Sequence, residues 1–299
     1  MKKIIFFSVT LLLFTCIGCA TSSLVKISDN IFSYVDQKDG SPANSYGANA
    51  VMIEGKNCLA VIDTMISAKK AKGLIKDIRA ISRKPIKYVV NTHNHLDHSF
   101  GNAEFVKLGA EIVSHINCKI NMEKTAKQVL KNAKMYGLTP KDIEGTEIAY
   151  PNITFDNQKT INMGNMRIEL IYVAPSHTNG SILVHIPEKK LLIAGDILFT
   201  DYHPFVGDGN IEGWVKNLDY INQMDVNLII PGHGPLSSKK DVLKLKEYLI
   251  QFDSMAKSLC SSSKDVDFIV DELKKSLPER SRGEDLIKFN ILSKYLGAH

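Results

Sequence analysis

Apolar residues recur along the chain with two spacings, which predict strands in some segments and helices in others. Helical spacing occurs in 67–82, where Leu74, Ile78 and Ile81 share one face, and again in 121–137. Short apolar runs bounded by Gly, Pro, Asn or Asp are typical of strands. Such runs occupy much of 24–64, and also 85–91, 166–174, 181–187, 190–196 and 226–232. This alternation of strands and helices predicts an α/β layered fold.

Changes in the pattern also suggest how the chain is divided. Residues 24–236 are interpreted as one catalytic domain, with a lysine-rich insertion near 117–151 and a helical C-terminal region at 237–299. The polar stretch 36–47 predicts a loop, either a flap over a site or a simple connection. If it is a flap, trimming it should change substrate affinity more than stability. The segments 49–64 and 180–196 share a strand–turn–strand–Asp pattern, which suggests two related half-sheets.

The first nineteen residues, MKKIIFFSVTLLLFTCIGC, have a basic start, an apolar stretch and small residues at the end. This pattern is typical of a secretory signal rather than a spanning helix. The stretch from Cys16 to Cys19, followed by Ala20, resembles the lipobox of bacterial lipoproteins, which implies acylation of Cys19 and attachment to a membrane. Cys16 stands where that motif usually has leucine, so ordinary cleavage and an uncleaved anchor stay open. The expected location is the cell envelope, in the periplasm or on a membrane.

Composition narrows the class of partner. The chain has 299 residues, is 44% hydrophobic and carries a formal charge of +5, and Lys2 and Lys3 supply two of these charges. Such a weak and scattered charge does not indicate nucleic acid, so a small-molecule substrate is expected. The cysteines beyond the signal are odd in number and lack metal spacing, so no disulfide framework is expected: Cys58, Cys118 and Cys260.

The stretch HNHLDH places several potential metal ligands directly after an apolar strand. Side chains two residues apart in an extended segment point to the same side, so His93 and His95 can bind one ion. Three further strand ends carry one candidate each, and ligands of α/β sheets gather at such ends. The full candidate set is His93, His95, Asp97, His98, His177, Asp196 and His233. Imidazoles and carboxylates in this number suit zinc or a similar divalent ion.

Four other histidines lack such neighbours. His115, His185 and His299 are interpreted as structural or solvent-facing. His203 follows Asp196 closely enough to be a candidate for lining the substrate site.

The combination of HNHLDH, a second histidine loop, GD after a strand and PGHG resembles the metallo-β-lactamase-fold hydrolase superfamily over about 25–236. The resemblance implies a four-layer αββα sandwich. It implies one zinc held by His93, His95 and His177, a second held by Asp97, His98 and His233, and Asp196 bridging both. It further implies that Asp63 orients the imidazoles from behind.

The reaction that the resemblance implies is hydrolysis. A hydroxide formed between the two ions would attack an ester, lactone, thioester or amide, and Asp97 could also handle a proton. Two alternatives stay open. One is a β-lactamase, although Asp196 and Phe199 stand where one group of these enzymes has a cysteine and a drug-anchoring lysine. The other is an iron-dependent oxidoreductase resembling persulfide dioxygenases, and iron or manganese could also replace zinc.

Overall fold

The computed structural model describes residues 22–297, whose strands form two sheets. The first sheet is antiparallel from β1 to β4 and parallel from β4 to β7. Its strands follow chain order: β1 (Val25–Ser28), β2 (Ile31–Tyr34), β3 (Ala50–Glu54), β4 (Leu59–Ile62), β5 (Ile86–Val90), β6 (Glu111–His115) and β7 (Ile153–Phe155).

The second sheet has five strands in the order β12-β11-β10-β9-β8, and only β11 and β12 run parallel. These strands are β8 (Gln158–Asn162), β9 (Arg167–Tyr172), β10 (Ile182–Ile186), β11 (Leu191–Phe199) and β12 (Leu228–His233). The two sheets share a local pattern, in which two antiparallel strands are followed by a third that pairs in parallel with the second. This pattern is β3-β4-β5 in the first sheet and β10-β11-β12 in the second.

The α-helices cover the outer faces of the sheets and form the C-terminal region. They are α1 (Ala68–Ile81), α2 (Leu96–Ser99), α3 (Asn102–Val106), α4 (Ile116–Lys131), α5 (Ile211–Gln223), α6 (Lys239–Ser262), α7 (Val266–Ser276) and α8 (Asp285–Asn290). Within 22–297, no helix combines the length and the apolar character needed to cross a membrane.

Alternation along the buried strands explains the layers. In β3, Val51 and Ile53 face the second sheet, whereas Met52 packs beneath α1 with Leu74 and Ile78. Both faces of β3 are therefore apolar, as expected for a strand covered on both sides. The outer face of the second sheet packs on α5 and α6. The predicted αββα sandwich is confirmed.

The helical C-terminal region predicted from the sequence is also present. Ser238 and Asp241 form a capping box that starts α6, in which each side chain bonds the backbone N–H at the other position. Leu245 and Leu249 of α6 share one core with Leu192 of β11 and Trp214 of α5. The C-terminal helices are thus continuous with the core of the second sheet.

Two segments have structure that their composition alone does not specify. The region 117–151, interpreted from the sequence as an insertion, contains α4 and irregular chain and connects the adjacent parallel strands β6 and β7. A solvated crossover helix is polar on its outer face, so its composition resembles that of an insertion. In 36–47 the predicted loop contains a short 3₁₀ turn, Pro42–Gly47, with Asn44 and Ser45 buried. The signal proposed for 1–19, with Cys16 and Cys19, lies outside the described residues, as does His299.

Candidate metal centre

The seven candidate ligands meet at one edge of the two sheets. His93 and His95 follow β5, and Asp97 and His98 lie on the short helix α2. The second sheet contributes the other three: His177 from the β9–β10 loop, Asp196 from within β11 and His233 from the end of β12. The side chains form two groups of potential ligands, and the ligand atoms within each group lie within 4.8 Å of one another.

The first ligand group is His93, His95, His177 and Asp196. Its atoms are close enough to share one ion: His177 Nε2 lies 2.9 Å from His95 Nδ1 and 3.4 Å from Asp196 Oδ2. His93 Nε2 lies 3.7 Å from the same carboxylate oxygen. Three imidazole nitrogens and one carboxylate oxygen therefore converge here.

The second ligand group is Asp97, His98 and His233. His233 Nε2 lies 3.3 Å from Asp97 Oδ2, and His98 Nε2 lies 3.5 Å from the same oxygen. The other oxygen of Asp196, Oδ1, lies 3.1 Å from His98 Nε2 and 3.5 Å from His233 Nε2. The Asp196 carboxylate thus turns one oxygen toward each group.

Close approach of the backbone permits this arrangement. Gly232 lies against the Asp196 side chain, and a Cβ atom at that position would come within 1.9 Å of Oδ1. The glycine before His233 is therefore required for β12 to pass so near the carboxylate.

Each clustered imidazole uses its outward nitrogen in a hydrogen bond. The His98 Nδ1–H donates to Asp63 Oδ2 over 2.9 Å, and His95 Nε2 lies 2.9 Å from Asp208 Oδ2. His93 Nδ1 lies 3.0 Å from the Thr92 hydroxyl, which itself donates to Asp63 over 2.7 Å. These bonds leave one nitrogen of each ring free to face inward, which is how ligating histidines are usually oriented.

The remaining two rings form hydrogen bonds with main-chain carbonyl oxygens. His177 Nδ1 lies 3.2 Å from the Phe205 carbonyl oxygen, and His233 Nδ1 lies 3.1 Å from that of Tyr46. Sequence reasoning missed these two contacts because a carbonyl is present at every residue. It also missed Asp208, for which the signal was an acid between Gly207 and Gly209 in the loop after β11.

The charges of the centre suit cations. In the first group, burial lowers the pKa of His177 to about 3 and that of His93 well below its usual value. Burial opposes protonation of His95 as well, but its hydrogen bond to Asp208 raises its pKa. Burial alone would raise the pKa of Asp196, but the neighbouring imidazoles, His98 foremost, lower it well below normal. Burial opposes protonation of His233 too, yet Asp196 and Asp97 raise its pKa to about 9. The two carboxylates thus attract positive charge between them.

The unpaired atoms show that the residues fit a metal. His93 Nε2 and Asp196 Oδ1 are buried and make no hydrogen bond of acceptable geometry. Leaving such atoms unpaired costs about 1–3 kcal/mol each, unless an ion supplies the missing partner. A nitrogen-rich donor set with carboxylates is one that zinc accepts. His93, His95, His177, Asp97, His98 and His233, with Asp196 between them, can therefore hold two divalent ions.

Comparison with known proteins agrees with this geometry. Residues 44–233, more than half of the chain, match the family model described as the metallo-beta-lactamase superfamily. The chain belongs to the metallo-β-lactamase superfamily.

Individual superfamily members are only distantly similar to this chain. A 2,4-dinitroanisole O-demethylase subunit alpha from Nocardioides sp. is 26% identical over 184 residues, which cover 60% of this chain and 51% of that protein. The chain thus spans about half the length of that relative. A metallo-beta-lactamase type 2 from Elizabethkingia meningoseptica is 22% identical over 78% of this chain and 87% of that protein. A solved metallo-beta-lactamase from Pontibacter korlensis shares the fold, with a TM-score of 0.62 at 18% identity, over 76% of this chain and 98% of that one.

The remaining predicted residues lie as follows in this superfamily fold. Asp63 is buried behind the centre, where its carboxylate accepts from His98 Nδ1, and its orienting role stays a prediction. His203 is only 5% exposed, and its Nδ1 lies 2.8 Å from the Tyr248 hydroxyl of α6. His203 is thus buried and held against α6, and its role in lining the substrate site stays a prediction. The three cysteines between residues 22 and 297 are free.

Proposed function

We propose that this superfamily member is a dinuclear zinc hydrolase of a small-molecule ester, lactone, thioester or amide. The observation that carries the proposal is the position of Asp196, whose two carboxylate oxygens face two separate and complete ligand groups. Two ions held by these groups would supply the chemistry of a hydrolytic two-metal site, in which both the attacking and the leaving oxygen are stabilised.

The protein's own contribution is to orient donors and to keep the site dry. Bound zinc would supply a Lewis acid for the scissile carbonyl and lower the pKa of water far enough to give a nucleophile near neutral pH. His93, His177 and Asp196 are almost fully buried, so their electrostatic effect on the reacting atoms is weakly screened. His95, with 15% of its side chain exposed, is the candidate ligand most open to solvent.

Asp97 is proposed both as a ligand and as a group that handles a proton when the leaving group departs. Burial alone would raise the pKa of Asp97, but His98 and His233 lower it below its usual range. Its carboxylate is therefore ionised at neutral pH and able to accept a proton only transiently. Coordination to an ion would reduce its basicity further.

A β-lactam, being a cyclic amide, belongs to the proposed substrate class, and similarity to the Elizabethkingia enzyme supports including it in the tests. Phe199 argues for a different substrate anchor. Its ring is buried and stacks on His233 at a centroid distance of 5.1 Å, with an interplanar angle of 1°. Where one group of β-lactamases has a lysine for the drug's carboxylate, this chain has a ring that packs on a ligand.

The deciding experiment combines metal analysis with a substrate screen. Purified protein would be assayed for zinc, iron and manganese, and for turnover of nitrocefin, lactones, thioesters, phosphodiesters and persulfides. We expect two zinc ions per chain and hydrolysis of at least one ester, lactone, thioester or amide. One iron per chain with oxygen uptake on persulfide would instead establish the oxidoreductase alternative.

Two histidine variants provide a matched comparison. We expect His95→Ala to lose at least about 100-fold in kcat/KM and to lose metal from the first group, since even the partners behind ligands contribute 10–100-fold. His185→Ala is the control, because His185 pairs with Glu169 on β9, outside both ligand groups. Full metal content and turnover in His95→Ala would refute the ligand assignment.

A further inference from the structure

The second ligand group is supported by a segment that lies outside the family match of residues 44–233. Arg282, in the loop between α7 and α8, contacts the chain beside the centre rather than the solvent, and 16% of its side chain is exposed. Its guanidinium donates from Nη2 to Asp36 Oδ1 over 2.8 Å and from Nη1 to the Gln37 carbonyl over 3.1 Å. Hydrogen bonds from Arg282 thus connect the C-terminal region to the stretch 36–47.

The same guanidinium lies over a buried tyrosine ring. The Arg282 Cζ atom is 5.0 Å from the centroid of Tyr202, and the backbone of the next residue, His203, donates to the Arg282 carbonyl over 2.8 Å. A cation in this position attracts the ring face. Tyr202 is 4% exposed, and the Arg282 guanidinium covers one face of its ring.

Glycines leave room for the Tyr202 hydroxyl. A Cβ atom at Gly40 would come within 2.3 Å of the hydroxyl oxygen, and one at Gly47 within 3.3 Å. The hydroxyl donates to the Tyr46 carbonyl over 2.8 Å. That carbonyl is also the acceptor for His233 Nδ1. One oxygen therefore joins the tyrosine to a proposed metal ligand.

The Tyr46 carbonyl needs such support because its backbone is strained. Ser45 and Tyr46 have φ values of 54° and 49°, in the left-handed region that ordinary residues avoid. Strain of this kind costs on the order of 1–3 kcal/mol and persists only where surrounding contacts impose it. The Ser45 hydroxyl accepts from the Ile66 N–H over 3.0 Å, and Tyr202 supplies a second constraint.

From these contacts we propose that Tyr202 and Arg282 are positioning residues for the second ligand group. They hold the Tyr46 carbonyl against His233 Nδ1, so that Nε2 points toward Asp97 and Asp196. The inference rests on the proposed function only in taking the ion to be zinc. It adds that the C-terminal region determines how tightly the second ion binds.

The test measures metal binding directly, without turnover. Apo protein would be titrated with zinc against a competing chelator, and NMR of 15N-labelled histidine would assign each step to the first group or to His98 and His233. We expect Tyr202→Phe, which removes one hydroxyl, to weaken binding at the second group by about 10–100-fold. Binding at the first group should change by less than about twofold, because its outward partners are untouched.

Tyr295→Phe is the matched control. Tyr295 lies in the same C-terminal region and also loses one hydrogen bond, from its hydroxyl to Asp253 Oδ1 over 2.8 Å. A general loss of stability would weaken zinc binding in both variants, whereas loss of the proposed positioning would weaken it only in Tyr202→Phe. Arg282→Lys should also bind zinc more weakly than wild type at the second group, because an ammonium cannot reproduce the two hydrogen bonds of the planar guanidinium.

The outcomes separate the two proposals. If wild type binds no second ion, the dinuclear function fails. If wild type binds two ions and Tyr202→Phe binds the second equally well, or loses both equally, the positioning role is wrong while the proposed function stands.

Discussion

The five clustered imidazoles use their two ring nitrogens for different purposes. The inward nitrogen of each faces the other atoms of its ligand group, and the outward one bonds to an acid, a hydroxyl or a carbonyl. Fixing the outward nitrogen selects the tautomer and the ring angle before any ion arrives, which reduces the entropy lost on binding. The centre is therefore organised by residues that need not touch the metal.

Much of this centre is predictable from the sequence, but its supports are not. The run from His93 to His98 follows an apolar strand, and that context identifies the candidate ligands. Asp63 was found through resemblance. The carbonyls of Tyr46 and Phe205 have no sequence signature, since their role depends on where the backbone passes. The contact of His203 with Tyr248 likewise has no sequence signature, since it depends on how α6 packs on the loop after β11.

Asp208 offers a test of this organisation at a single residue. Its side chain is 62% exposed, yet its Oδ2 holds His95 Nε2, and this bond lowers the pKa of Asp208 to about 2. We expect Asp208→Ala to weaken zinc binding at the first group by roughly tenfold and to leave the second group unchanged. The measurement is the same chelator competition with histidine NMR.

Two further variants complete this test. Asp208→Asn keeps an oxygen acceptor and should recover most of the affinity. Asp225→Ala, which removes an exposed acid paired with Lys190, should bind as wild type. Equal weakening at both ligand groups in Asp208→Ala would contradict a local role for this acid.

At the scale of elements, the sequence predicts which segments are helix or strand better than it predicts how they connect. The short apolar run of β3 and the helical spacing of α1 are local properties, and both elements appear as expected. The connection through α4 depends on β6 pairing with β7, a contact between segments distant in sequence. The stretch 36–47 is similar, because its polar composition indicates a loop but not its contacts with His233 and Arg282.

Those contacts change the expected effect of trimming 36–47. A flap would alter substrate affinity more than stability, but this stretch also carries the Tyr46 carbonyl and accepts hydrogen bonds from Arg282. We expect its replacement by a glycine–serine linker to lower both the melting temperature and the second-group zinc affinity. Thermal unfolding and zinc titration would measure the two effects.

Tyr46→Phe is the control for this replacement, because it removes the hydroxyl that bonds the Tyr136 carbonyl and keeps the Tyr46 carbonyl. This variant should retain its second ion. A linker variant that keeps wild-type stability and both ions, with only its kinetics altered, would restore the flap interpretation.

At the scale of the whole molecule, the centre joins the two sheets. The first sheet supplies His93, His95, Asp97 and His98 after β5, and the second supplies His177, Asp196 and His233. Ions bound between them would link the halves of the sandwich at the edge where the strands end. Ions bound only by the folded chain stabilise it by mass action, about 4 kcal/mol when the free ion is a thousandfold above its Kd.

Metal removal should therefore destabilise the entire fold rather than one loop. For a domain of this size, a loss of that order lowers the melting temperature by on the order of 10 °C. Calorimetry of the zinc-loaded and chelator-treated protein would measure the shift, and readdition of zinc should reverse it. Because ligands from both sheets lose their common partner, the transition should stay single. An unchanged melting temperature in protein shown by mass spectrometry to be metal-free would mean that ion binding and folding are not coupled as this geometry requires.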